Sequence, residues 1–194
     1  MLDAAVECFW NRGFERTSIR ELTEATGLTG ASLYNAFGDK RALFQRALDH
    51  YVEESIGKRI SRCEAMPPRE GIAAFFDEIL TRSLDDRAYK GCMLVNSALE
   101  VAPHDPEFRE IIAGVLARIE IFFLTRIEAG QADGTILCPM PARDIARHLL
   151  GVLMGVRVLA RVRPERALLE GAVAPALALL DGAGGRPAPT GGAF

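Results

Sequence analysis

An all-α fold is what this sequence predicts, and three observations predict it. Apolar residues recur at helical spacing from residue 18 to residue 181. No stretch alternates apolar and polar residues long enough to make a strand. The breaks between periodic stretches are helix punctuation: Gly27, Met66-Pro67-Pro68, Pro103-His104-Asp105-Pro106 and the loop 130–141. The 194 residues are 49% hydrophobic and 25% charged, the mix of an ordinary globular chain.

The elements are taken in order. Ser18 precedes the apolar-periodic Ile19 and stands three places before Glu21, the spacing of a capping box, so a helix is expected over 18–26. Ile19, Leu22 and Ala25 give it one buried face. Gly27 ends it, because glycine takes the left-handed cap conformation without a Cβ clash. Thr29 caps a second helix over 29–37, which buries Leu33 and Phe37. Gly30, Ala31, Ser32, Tyr34 and Asn35 are left on its outer face. A long helix is expected over 40–62, carrying Leu43, Phe44, Ala47, Leu48, Tyr51 and Val52 inward. Further helices are expected over 70–86, 91–101, 107–129, 142–163 and 165–181. Asp105 would cap the 107–129 helix, with Pro106 in its first position. Residues 182–194 are rich in Gly, Pro and Ala and are expected to be a disordered tail.

The 18–37 segment carries the functional signal. A short helix with small polar residues outward fits a DNA major groove. Ser32 and Asn35 can hydrogen-bond base edges, and Ala31 can touch a thymine methyl. Thr29, Tyr34 and Lys40 can hold phosphates, helped by the helix N-terminus. Periodicity alone equally allows an ordinary helical hairpin with a solvated polar face.

Ala4-Ala5, Phe9, Gly13-Phe14, Thr17-Ser18-Ile19, Leu22, Gly27-Leu28-Thr29, Leu33-Tyr34, Phe37 and Asp39-Lys40 together resemble the N-terminal domain of the TetR family of transcriptional regulators. The resemblance implies an all-α protein with two parts. The first is a three-helix helix-turn-helix DNA-binding domain over 1–46. The second is a helical effector-binding and dimerisation domain over 47–181. It implies a first helix over 2–12, phosphate contacts from Thr17, Ser18, Tyr34 and Lys40, and base or near-base contacts from Arg20, Gly30, Ala31, Ser32 and Asn35. The implied partners are double-stranded operator DNA, a second copy of the chain and a small-molecule effector. Three departures stand out. Here the chain opens on Met1-Leu2-Asp3 where the family usually has a basic arm. Thr23 stands where Ala is usual, and Gly30 where many members are basic.

Charge agrees with those departures. The net charge is −3. Within residues 1–50, Arg12, Arg16, Arg20, Lys40, Arg41 and Arg46 face Asp3, Glu7, Glu15, Glu21, Glu24, Asp39 and Asp49. DNA binding would have to come from a few placed cations and from dimerisation, not from a general positive field. A helical ligand- or partner-binding protein with weak or lost DNA binding is the alternative reading.

The last two helices are apolar nearly all round, which calls for cover on two sides. Leu149, Val152, Leu153 and Val156 on one, with Leu169, Val173, Leu177 and Leu180 on the other, are the expected dimer residues. An effector cavity is expected among Phe75, Phe76, Ile79, Met93, Phe108, Ile119, Phe122, Phe123 and Met154. Cys92 joins them as a candidate sensor thiol, since it lies near a predicted helix start and beside Lys90, and both lower a thiol pKa. The alternative for all ten is simple core packing.

No Ser/His/Asp set, phosphate-cradling glycine loop or metal-ligand cluster supports an enzyme. His50, His104 and His148 share no ligand spacing, so neither metal nor cofactor is expected. Asp3, Glu7 and Arg12 interrupt any leader-like run, and no 18-residue apolar stretch occurs. The expected setting is the cytoplasm, with no membrane partner and with Cys8, Cys63, Cys92 and Cys138 reduced.

Overall fold

The computed structural model describes residues 1–182, so most of the expected tail lies outside the described residues. Within them the chain is helical throughout. The helices are α1 (Leu2–Arg12), α2 (Ile19–Thr26), α3 (Gly30–Phe37), α4 (Lys40–Tyr51), α5 (Lys58–Glu64), α6 (Pro68–Asp85), α7 (Met93–Glu100), α8 (Pro106–Asp133), α9 (Ala142–Val162) and α10 (Arg166–Leu180). No helix among the described residues is long and apolar enough to cross a membrane.

Local sequence explains the head, α1–α3 with the start of α4. Ser18 accepts from the Glu21 N–H while the Glu21 carboxylate accepts from the Ser18 N–H, so the capping box is complete. Gly27 closes α2 at φ 72°, a left-handed value that a side chain would resist. Thr29 and Asp39 cap α3 and α4 through their side chains. Ala5, Phe9, Leu22, Leu33, Leu43 and Phe44 fill the space between these helices. Phe44 also reaches the body, lying 4.9 Å from the Phe9 ring and 5.2 Å from that of Phe108.

The body first differs from expectation at the junction of α4 and α5. The helix expected over 40–62 is interrupted by a π-helical turn, Val52–Gly57, between α4 and α5. Such a turn inserts one residue and shifts the register of the helix beyond it. Gly57 sits where a Cβ would collide with the Glu53 carboxylate. Ile56 within this turn and Arg59 beyond it both face inward. Around it, α6, α8, α9 and α10 form a bundle. Asp105 accepts from the Glu107 and Phe108 N–H groups, with Pro106 in the first turn of α8. That helix continues to Asp133, past the expected end at 129.

The apolar surfaces of α9 and α10 are used inside the subunit. Leu149, Leu153, Val156, Leu169, Val173 and Leu180 are buried in the single chain, which corrects their assignment to a dimer contact. Only Val152 and Leu177 of the expected eight are even partly exposed.

Candidate functional site

The head presents α3 outward. Ala31, Ser32, Tyr34, Asn35 and Ala36 are exposed, with Tyr34 at 50%. Among the described residues, no side-chain hydrogen bond ties up Tyr34 or Asn35. Thr29 and Ser32 are partly committed: their hydroxyls lie 2.9 Å apart, and Thr29 also accepts from the Ser32 N–H. A Cβ built at Gly30 would meet nothing within 4 Å. Arg20 is exposed on α2 and pairs with Glu24 at 2.8 Å. Ser18 keeps an exposed position although Glu21 holds its hydroxyl and N–H.

Thr17 does not join this face. It is 1% exposed, and its hydroxyl donates to the Gly13 carbonyl at 2.6 Å. Its hydroxyl therefore pins the turn between α1 and α2, and the sequence-based assignment of a phosphate contact to it is corrected. Lys40 lies over the Phe14 ring at 4.5 Å and donates to the Glu15 carbonyl at 3.3 Å. Its ammonium thus sits beside the α1–α2 turn rather than swinging free.

Behind the head lies a cavity of about 520 Å³. Of the ten residues expected there, Phe75, Ile79, Cys92, Ile119 and Met154 line it. Phe76, Met93, Phe108, Phe122 and Phe123 do not; they are core, and Phe76 stacks on Phe123 at 5.7 Å. Periodicity marks an inward face but does not tell wall from filling. Sequence reasoning missed Trp10, Tyr51, Arg59 and Arg157, all of which line the cavity. The available signal was Arg157, a lone cation interrupting the apolar run of α9. Arg59, within Lys58-Arg59-Ile60-Ser61-Arg62, looks in sequence like part of a solvated face.

Cys92 caps α7 and is buried. The Tyr51 hydroxyl donates to its sulfur at 3.6 Å. Burial pushes the thiol pKa up. The nearby Arg157 charge, the Val95 N–H and the Tyr51 hydroxyl outweigh that and hold it below the ordinary thiol range. Burial above all, then the neighbouring Cys92, pushes the Tyr51 phenol well above its usual value. The cation beside Cys92 is Arg157, not Lys90. The Lys90 ammonium turns away to Glu7 at 3.0 Å and the Trp10 ring at 4.4 Å.

Two further links join head and body. Helix α7 starts at the cavity and ends at Glu100, whose carboxylate accepts from the Phe14 N–H at 3.2 Å and the Glu15 N–H at 3.0 Å. Gly13 beside it combines φ 83° with a site where a Cβ would strike that carboxylate, so only glycine fits. Arg41 on α4 grips Asp105 through two hydrogen bonds, at 2.8 and 3.1 Å, and Glu107 at 2.7 Å.

Residues 1–47 match the model of the bacterial regulatory proteins of the tetR family, and residues 68–175 match that of the tetracyclin repressor-like C-terminal domain. The chain belongs to the TetR family of transcriptional regulators. It is therefore a DNA-binding regulator. Among TetR-family relatives, it is 30% identical to the uncharacterized HTH-type transcriptional regulator YezE of Bacillus subtilis, over 93% of this chain and 94% of that one. It is 28% identical to the HTH-type transcriptional repressor ComR of Escherichia coli, over 87% and 80% of the two chains. A solved structure of the TetR family regulator CifR, a cysteine mutant complexed with 26-bp operator DNA, matches at 33% identity and TM-score 0.81. It covers 91% of this chain and 93% of that one.

Proposed function

We infer that the protein is a homodimeric repressor that leaves its operator when a small molecule enters the cavity behind the head. The observation that carries this reading is the α7 link. One eight-residue helix runs from Cys92 in the cavity wall to Glu100 on the α1–α2 turn. A ligand that moves the start of α7 moves the head with it. The Arg41 grip on Asp105 ties α4 to the loop that follows α7. Effector binding would then favour a dimer whose two α3 helices are wrongly spaced for successive major grooves, one helical turn (about 34 Å) apart.

The dimer is supported by what α9 and α10 leave outside. Gly151, Gly155, Val158 and Val162 on α9, with Gly171, Ala174, Pro175 and Ala178 on α10, form an exposed, small and apolar surface. A Cβ at Gly151, Gly155 or Gly171 meets nothing within 4 Å among the described residues, so another helix can approach closely there. The sense of regulation follows ComR, a repressor, and the DNA target follows CifR, complexed with operator DNA. Within the cavity, the lowered pKa of Cys92 suits an electrophilic effector as well as a reversible one.

Footprinting of the purified protein on the DNA upstream of its own gene tests this reading. Two protected half-sites with approximate twofold symmetry are expected, their centres about one helical turn apart or a multiple of it. A single unsymmetrical footprint, or none, contradicts it.

A further inference from the structure

Resting on that reading of the cavity, the geometry points to the class of effector: a small amphipathic organic anion, a monocarboxylate with an apolar body, held by Arg59 and Arg157. The walls are mostly apolar, with Phe75, Ile79, Ile119, Leu153, Met154 and Ala160 among them. Of the four guanidinium groups in this lining, those of Arg59 and Arg157 are the two that are not exposed. The Arg59 side chain is only 5% exposed. Its contacts are the Glu78 carboxylate, 3.1 Å from Nη2, and the Phe75 ring at 5.4 Å. Its Nε is buried without an acceptor. Arg157 donates through Nη1 to the Ser83 hydroxyl at 3.0 Å and through Nη2 to the Gly91 carbonyl at 3.3 Å. Its Nε is likewise buried and unused. The Trp10 indole N–H, on a third lining residue, also has no acceptor among the described residues.

Charge around these donors is unbalanced. Glu78 is the carboxylate that faces Arg59, and it is shared with Arg62 at 2.6 Å and Arg82 at 3.2 Å. One negative charge thus serves three positive ones. Arg157 is in no ion pair among the described residues; its polar neighbours are Ser83, Gly91, Cys92 and Tyr51. Of the other charged lining residues, Lys90 is paired with Glu7, and Asp86 accepts from the Gly91 N–H at 2.7 Å. Arg82, Arg87 and Asp85 complete the charged lining. Buried donors are normally satisfied, and a buried cation is normally paired. A carboxylate matches the guanidinium fork, and an apolar body covers the remaining wall.

Trp10 is the single tryptophan of the chain and lines the cavity, so its fluorescence reports binding directly. The full-length protein is titrated with octanoate and 4-phenylbutanoate, and with the neutral octanamide and 4-phenylbutanamide, while DNA release is followed separately by anisotropy. A carboxylate is expected to bind at least about tenfold more tightly than its amide. The preference should collapse in Arg59→Met and in Arg157→Gln, two variants at separate positions. Preference for octanoate over 4-phenylbutanoate assigns a chain-like body, and the reverse a ring-like one; either supports the anion site. Equal binding of acid and amide, or no binding of any probe at millimolar concentration, overturns it. A carboxylate that binds with the expected preference but leaves the DNA complex intact retains the anion site and refutes the effector reading. An amide that releases DNA as well as its acid does the opposite.

Discussion

At the scale of single residues, the proposed reading face combines open and committed groups. Asn35 and Tyr34 are exposed and free of side-chain hydrogen bonds among the described residues, whereas Thr29, Ser32 and Lys40 are partly tied to the head. This leaves little cationic charge on α3. Gly30 is the position to change, because a Cβ there meets nothing within 4 Å among the described residues. Gly30→Arg is expected to raise operator affinity at low salt and to steepen its salt dependence by about one phosphate contact. Affinity measured at several salt concentrations checks this, and an unchanged slope would place Gly30 away from the DNA backbone. Sequence placed α3 and its exposed residues because caps and turn glycines act locally. It misassigned Thr17, because nothing in the run Thr17-Ser18 says which hydroxyl turns inward.

At the scale of elements, the proposed coupling rests on the links between head and body. The Glu100 carboxylate holds the Phe14 and Glu15 amides. Charge-assisted bonds of this kind hold such amides closed against solvent. Glu100→Ala is expected to speed hydrogen exchange at Phe14 and Glu15 by about tenfold, with α8 amides unaffected. Equal acceleration across the protein would mean general destabilisation instead. The second link is sensitive to acid. Arg41, with the Phe108 and Glu107 N–H groups, holds the Asp105 carboxyl at about 2, below its ordinary 3.8. A folded-state value below the unfolded one stabilises the ionised, folded form. That contribution is complete above about pH 4 and is lost as pH falls through about 2. Asp105→Asn keeps an oxygen for the α8 cap but not the charge. Its melting temperature should therefore fall less between pH 4 and pH 2 than that of the wild type, as followed by circular dichroism. Parallel curves would show that the Arg41 link does not form. Neither link is visible in sequence. Glu100 lies 86 positions from Phe14 and Asp105 lies 64 from Arg41, and only folding brings these segments together.

At the scale of the whole molecule, helix periodicity, caps and breakers made the all-α architecture legible. The distribution of work between inside and outside was not. Leu149, Leu153 and Val156 look like interface residues in sequence, but α9 spends them on its own bundle and offers Gly151, Gly155 and Val158 outward. Similarly, Phe76 and Phe123 fill core that periodicity could not distinguish from cavity wall. Volume decides both cases, and volume is set by how several helices pack together. The proposed function at this scale depends first on α3 reading DNA. Fluorescence anisotropy with duplex DNA from the chain's own upstream region tests that directly, comparing wild type with the double variant Tyr34→Phe/Asn35→Ala over a salt series. Because both side chains are exposed and make no hydrogen bond among the described residues, the variant should fold normally. Saturable, steeply salt-dependent binding is expected of the wild type, and at least about tenfold weaker binding of the variant. Indistinguishable isotherms for the two proteins would contradict the assignment of α3 as the reading helix.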